Sequence, residues 1–398
     1  MKNILRNIEG DRTIWGMVAF MAVLSFMPVY SASTNLVYGN LNVGTPIGHL
    51  VKHAFLLFTG FGIMFAVHKI PYRFFSGLSV IAIPFVVALL IVTIFQGQTI
   101  GGANASRWLR IPFLGVGFQT SGLAKVVIMV YVARYLSRNK DKEIEFKQSL
   151  LKLWLPVAIV MGLILPANFS TAAIIGCMIF MLCFIGGYPK KYLATVVGMG
   201  ILLFLLFVLM AKAFPEAMPN RVDTWMSRIE SFTSEDKKDG YQVEKAKIAI
   251  ATGGLQGLGP GKSVQKNFLP QSSSDFIFAI IVEEYGLLLG AFAVISFFLI
   301  LLFRILVAAN KSNSIFAALL VIGVGFPIIF QALINMSVAV NLMPVTGQTL
   351  PFISSGGTSI WMTCCAIGII LSVTADRKRM IASNNEEHPL EILHETID

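Results

Sequence analysis

Three carboxylates stand where a carboxylate is costly. In PQSSSDFIFAIIVEEYG, over 270–286, a polar run leads through Asp275 into an apolar stretch that carries Glu283 and Glu284. An acid inside a bilayer costs about 3 kcal/mol on insertion scales, so each asks for a reason. Asp275 at the start of a helix could cap it through the helix dipole, for about 1 kcal/mol, or act as a general base toward a hydroxyl. The two roles are compatible. Glu283 lies about 12 Å further along a helix, and adjacent Glu284 points about 100° away from it. That depth predicts both glutamates inside the membrane, where an ion pair or a helix-to-helix hydrogen bond would hold the span for Asp275.

Cations that could face these acids are few. Lys52 and Lys125 each fall within a turn or two of the same membrane surface. They either snorkel to the interface or bind a phosphate group. Arg107, Trp108 and Arg110 join charge to an aromatic that favours the interface, which suits an anchor or a headgroup clamp. Lys262, Ser263 and Lys266 follow the glycine-rich GGLQGLGPGK, but a nucleotide loop needs glycine six residues before the lysine and Gln256 stands there. These lysines remain solvated cations or anion contacts. TGQTLPFISSGGTS over 346–359, with Pro351, Gly356 and Gly357, is non-helical chain at membrane depth, which is tolerated where it lines a pocket.

The elements that position these residues are membrane spans. The 398 residues are 56% hydrophobic and 13% charged, with mean hydropathy +0.74, far from the roughly 25% charge of a soluble domain. Apolar runs predict ten helices: 12–32, 46–67, 74–95, 119–137, 153–167, 169–186, 193–212, 276–303, 314–337 and 350–374. No small-residue cleavage site follows the first, so it reads as retained. Lys and Arg of the short connections fall on one side if both termini are cytoplasmic. The formal charge of +10 thus reflects topology and anionic lipid rather than nucleic acid. The chain reads as one domain over 1–398, with an extracytoplasmic loop at 213–275 between helices seven and eight and a cytoplasmic tail at 375–398. Arg221 to Phe232 within that loop has amphipathic character. Cys177, Cys183, Cys364 and Cys365 lie in apolar runs and suggest neither disulfide nor metal.

NASRWLRIPFLGVGFQTSGLAK over 104–125, QSSSDFIFAIIVEEYG over 271–286 and TGQTLPFISSGGTS over 346–359 together resemble the SEDS family, the FtsW and RodA peptidoglycan polymerases. The resemblance covers nearly the whole chain, with FtsW favoured over RodA. Three places depart from the family pattern. Its Pro-Asp-x-Gly-Thr is here Pro166-Ala167-Asn168-Phe169-Ser170-Thr171, Thr120 and Gly122 stand for Pro and Glu, and Ser355 stands for Tyr. If the missing acid pairs with a base in the family, Asn168 leaves that pair absent or rearranged.

The resemblance implies an inverting glycosyltransferase that polymerises lipid II at the outer face of the bacterial cytoplasmic membrane, at the division septum. Asp275 would be the general base. Lys52, Arg107, Trp108, Lys125, Lys262, Lys266, Ser355, Gly356 and Gly357 would contact substrate, while Glu283, Glu284 and Asn168 would support the site. A divalent cation, Mg2+ or Mn2+, is implied by the family, although no metal cage is visible in the sequence. Implied partners are a class B penicillin-binding protein with transpeptidase activity, other divisome or elongasome membrane proteins, and membrane lipid. A RodA-type role, a lipid II flippase and a recruiting scaffold are the competing readings. Charged groups clustered at one end favour chemistry on one face over transport.

Overall fold

The computed structural model describes residues 8–38, 45–96, 108–110, 117–213, 240–269 and 271–395. In chain order its helices are α1 (Arg12–Tyr38), α2 (Pro46–Lys69), α3 (Arg73–Gln96), α4 (Thr120–Arg138), α5 (Phe146–Ile164), α6 (Phe169–Ile185) and α7 (Lys190–Ala213). They continue with α8 (Tyr241–Gly253), α9 (Ile277–Asn310), α10 (Ile315–Ala339) and α11 (Ser359–Glu395). Strands β1 (Trp108–Arg110) and β2 (Gly117–Gln119) form an antiparallel hairpin with Leu109 opposite Phe118.

Each expected span coincides with a helix, and among the described residues eight helices are long and apolar enough to cross a membrane. The 17-residue α6 and the lysine- and arginine-bearing α4 fall short of that standard. Their surroundings explain both. Helix α4 packs against α3, α6 and α10, so its polar positions meet protein instead of lipid. There Arg134 donates to the carbonyl of Ser76 and Lys125 Nζ donates to Gln331 Oε1 at 2.8 Å. Helix α10 is the centre of the bundle, 67% of its apolar window being buried against 6% for the peripheral α7. Local signals set several starts: Thr45 Oγ1, Asn168 Oδ1 and Ser314 Oγ each accept a backbone N–H in the first turn of α2, α6 and α10.

Boundaries differ from the hydropathy reading in three places. Helix α5 begins at Phe146 rather than 153, through a wide turn at Leu150–Trp154. Helix α11 begins at Ser359 rather than 350, because Leu350–Thr358 is folded as turns, and it continues through the expected tail to Glu395. The apolar stretch of α9 is not one straight helix: it is broken at Gly286, and a Cβ at Gly290 would stand 2.8 Å from the Ile281 carbonyl oxygen, so Ile277–Tyr285 folds back beside the chain that follows it.

The surroundings of Glu283 and Glu284 are protein: every residue from Ile277 to Glu284 is buried, and large exposed apolar side chains begin only at Leu287, Leu288 and Leu289. The first part of α9 is thus covered by protein, and the exposed apolar surface starts after the break. Hydropathy cannot separate the two, because apolar residues suit either surrounding. Helix α8, within the expected outer loop, clads this segment through Val243, Ala246, Ala249 and Gly253. The remaining expected features of that loop, including Arg221 to Phe232, lie outside the described residues.

A break at Gly286, with φ +76°, ends the first part of α9 and frees backbone groups that the loop after α8 then takes up. Leu258 and Gly259 donate to the carbonyls of Glu283 and Glu284 at 2.9 Å, and Leu287 and Leu288 donate to those of Gly254 and Leu255 at 2.9 and 3.2 Å. Backbones this close leave no room for side chains: a Cβ at Gly257, φ +80°, would stand 2.3 Å from the Glu284 carbonyl oxygen. The cationic connections gather at the opposite end of the bundle, where Arg304 pairs with Asp11, Lys69 with Glu9 at 3.4 Å, and Asp11 N–H donates to Thr374 Oγ1 at 3.1 Å. Replacing Gly257 by Ala forces a left-handed non-glycine into contact with backbone, for a loss of about 2 kcal/mol or more. Thermal unfolding in detergent, followed by tryptophan fluorescence, is expected to show a Tm several degrees lower; an unchanged Tm would mean that this loop does not dock as described.

Candidate functional site

Asp275 is half-buried in the turn 271–276, one residue outside the helix, since Phe276 is the N-cap residue. The turn is tied to the 346–358 chain from below and beside. Buried Asn335, on α10, donates Nδ2 to the carbonyls of both Asp275 and Gln348 at 2.7 Å. Ser354 Oγ donates to the carbonyl of Ser274 at 2.6 Å and accepts the N–H of Leu350, while the N–H of Ser355 donates to the carbonyl of Ser273 at 2.8 Å. The Asp275 carboxylate faces Gly347, where a Cβ would lie 3.5 Å from its Oδ2. Gly347 has φ +67°, so glycine supplies a backbone angle that other residues rarely adopt. Gln271 and Phe352 adopt φ of 59° and 64° without being glycine, so the two facing segments hold strained conformations at this point.

Other expected residues converge on the same chain. Lys125 Nζ bonds Gln331 Oε1, and Gln331 Nε2 donates to the Thr349 carbonyl at 2.9 Å, which links the lysine to the loop facing Asp275. The partner is a neutral amide, so the cation keeps its charge uncompensated there. Gly356 packs on Ser359 and Thr349, and Gly357, φ +56°, faces the Trp108 ring, where a Cβ would lie 3.5 Å from Cζ3. Thr358 Oγ1 donates to the Gly117 carbonyl at 3.1 Å and accepts the N–H of Gln119 at 3.0 Å, so the β hairpin closes over this turn. Asn168 is buried, caps α6 by accepting the N–H of Thr171 at 3.2 Å, and accepts the Ser170 hydroxyl at 3.1 Å. Ser170 and Thr171 in turn meet Thr346 and Gln348. An amide in place of the family's acid thus serves as a helix cap.

Glu283 and Glu284 form a second cluster. Glu283 accepts the Ser263 hydroxyl and the N–H groups of Val264 and Gln265, the latter two at 3.0 and 3.2 Å. Glu284 accepts the hydroxyl of Ser31 on α1, and Lys266 Nζ reaches that same hydroxyl at 3.1 Å. Lys266 is thereby committed to this network, while Lys262 is exposed beside Gly259. Lys52 is exposed on α2; its neighbour His53 turns inward, with Nε2 2.7 Å from Ser25 Oγ. Lys266 thus sits in the Ser31–Glu284 network, Lys52 and Lys262 are exposed, and Arg107 lies outside the described residues. Among the described residues no three His, Cys, Asp or Glu side chains form a metal-holding group.

Sequence reasoning missed Gln331 and Asn335. Their signal was present, two amides four residues apart in the apolar α10, on one helix face and directed inward.

An apolar helical bundle with a polar, carboxylate-bearing cluster at one end defines a multi-pass membrane protein with a site at its membrane edge. The family model for the FtsW/RodA/SpoVE cell cycle proteins matches residues 11–379, and the chain belongs to that family, with FtsW-like character. Among its relatives, the probable peptidoglycan glycosyltransferase FtsW of Coxiella burnetii is 29% identical over 90% of this chain and 95% of that one. Its counterpart in Thiomicrospira cyclica is 35% identical over 76% of this chain and 75% of that one. A solved chain of a peptidoglycan synthase complex, studied for the coordination of polymerization and crosslinking, superposes with TM-score 0.69 at 24% identity, over 92% of this chain and 98% of that one. RodA of Thermus thermophilus gives 0.65 at 24% identity, over 92% and 97%. These two likenesses show the fold.

Replacing Glu283 by Ala removes the acceptor for one hydroxyl and two backbone N–H groups, a loss of about 2 kcal/mol or more. The 255–269 loop should then detach before the bundle melts. Limited trypsinolysis should cut after Lys262 and Lys266 much faster than in wild type; equal protection in both would show that Glu283 does not hold the loop.

Proposed function

We propose that this chain is a peptidoglycan glycosyltransferase of FtsW type, polymerising lipid II into glycan strands at the outer face of the cytoplasmic membrane. The observation that carries this reading is the Asp275 carboxylate, held on a clamped turn that faces Gly347, with Lys125 bonded through Gln331 to the same loop. Asp275 takes the proton of the acceptor sugar's 4-hydroxyl as that oxygen bonds to the anomeric carbon of the donor. The bond from that carbon to the pyrophosphate breaks, and undecaprenyl pyrophosphate leaves with its electron pair. A single displacement turns an α-linked donor into a β-linked strand. Charge grows on the leaving pyrophosphate, and Lys125, whose own partner is neutral, is the cation best placed to meet it. The rigid clamp of Asn335 and Ser354 keeps the carboxylate aimed, which is what a general base at one fixed hydroxyl requires. Trp108, with Arg107 before it, covers the Gly357 side as a wall for the sugar headgroup.

The FtsW reading over RodA rests on the relatives of 29% and 35% identity that carry the FtsW name, and with it goes a septal location. We take the partner to be a class B penicillin-binding protein, and the α8 layer offers it a protein surface outside the lipid.

The test is glycan synthesis from lipid II by the purified protein with its cognate transpeptidase. Asp275→Asn is expected to lower strand formation by at least about a hundredfold while the complex still assembles. Polymerisation at the wild-type rate would remove Asp275 from the reaction; lipid II crossing vesicles with both proteins, and strands with neither, would favour the flippase. Lys125→Gln is expected to lower kcat by about a hundredfold with a smaller change in KM. An effect on KM alone would place Lys125 in ground-state binding.

A further inference from the structure

At the end of the bundle opposite Asp275, an open groove runs between the α4–α5 connection and the α6–α7 connection. Lys140, Lys142, Lys190 and Lys191 line it, against a single carboxylate, Glu143. All four lysines are exposed, and Lys190 Nζ stands 5.5 Å over the Phe184 ring. Lys190 and Lys191 open α7, whose first turn has no acid, so both ammonium groups stand at the positive end of a helix dipole. An anion in the groove would relieve that arrangement.

The floor beneath these cations is packed. Gly186 lies so close to α4 that a Cβ would meet Leu136 Cδ1 at 2.7 Å. Tyr188 OH accepts from Trp154 Nε1 at 3.1 Å and shares a 2.6 Å hydrogen bond with Ser149 Oγ, joining the start of α5 to the α6–α7 turn. The two basic connections are therefore fixed relative to each other. Phe184, under Lys190, and Ile185, next to Gly186 of the groove, are 59% and 45% exposed and give the cationic pocket an apolar border, and Leu151 on α5, which packs against α6, is 60% exposed.

We infer that this groove binds the phosphate headgroup of an anionic phospholipid, with the acyl chains against Phe184, Ile185 and Leu151. A concave cation cluster bordered by lipid-facing apolar side chains matches an amphiphile with an anionic head, whereas a soluble anion would leave the apolar border unused. Each lysine near a charged lipid surface contributes about 1 kcal/mol, or about fivefold in affinity. Nothing in this inference depends on the reaction at Asp275.

The full-length protein in neutral detergent, titrated with phosphatidylglycerol and examined by native mass spectrometry, provides the test. The variant K140Q/K142Q/K190Q/K191Q is expected to retain at least about tenfold less phosphatidylglycerol than wild type, with phosphatidylcholine retention unchanged. The charge-matched variant K147Q/K245Q/K247Q/K311Q, outside the groove, should bind as wild type does. Equal loss in both variants would reduce the effect to net charge and overturn the site. Displacement of the lipid by inorganic phosphate at equal concentration would assign a free-phosphate site and overturn the lipid. Unchanged glycan synthesis and Tm in the variants confirm folding; should the quadruple variant misfold, K190Q/K191Q alone is expected to lose at least about fivefold.

Discussion

Backbone that leaves a helix at the edge of an apolar bundle has no lipid partner, and every freed N–H and C=O must be met by protein or water. The fold is arranged around this requirement at one end. Gly286 interrupts α9, and the chain after α8 enters the gap with four backbone hydrogen bonds of its own. Glu283 then gathers the N–H groups of the returning loop, so a buried carboxylate compensates donors that would otherwise be stranded. Glu283, which looks costly in a membrane span, has donors on both of its oxygens.

The same logic places the catalytic candidate. The turn before α9 and the turns before α11 are both irregular, and each satisfies the other through Ser273, Ser274, Ser354 and Ser355. Asn335 closes the arrangement from the central helix with two bonds from one amide. The result is a half-buried carboxylate on rigidly clamped chain. A catalytic base needs the aim that such clamps give, because proton transfer is sensitive to small displacements.

Charge is distributed according to what each end must do. Lys125 is held by an amide rather than an acid, which leaves its field available to an anionic ligand. At the opposite end Arg304 and Lys69 are paired with acids and secure the termini of α1, α2 and α9, while the four lysines between α4 and α7 remain exposed. Paired cations there serve the fold, and exposed ones face the surroundings.

Much of this was determined by the sequence alone. Long apolar runs specify spanning helices because hydropathy and a 1.5 Å rise are local properties, and the position of Asp275 at the start of one of them follows directly. The motifs around 104–125, 271–286 and 346–359 were enough to indicate the family. Only the tertiary structure decided that Glu283 and Glu284 face a returning loop instead of lipid, that Lys266 belongs to them and not to Asp275, and that Gln331 and Asn335 serve the site. Those outcomes depend on contacts such as Ser31 with Glu284 and Asp275 with Asn335, between residues 253 and 60 positions apart, which no local pattern encodes. An apolar residue reads the same whether a lipid chain or a helix covers it, and that covering is what packing alone settles.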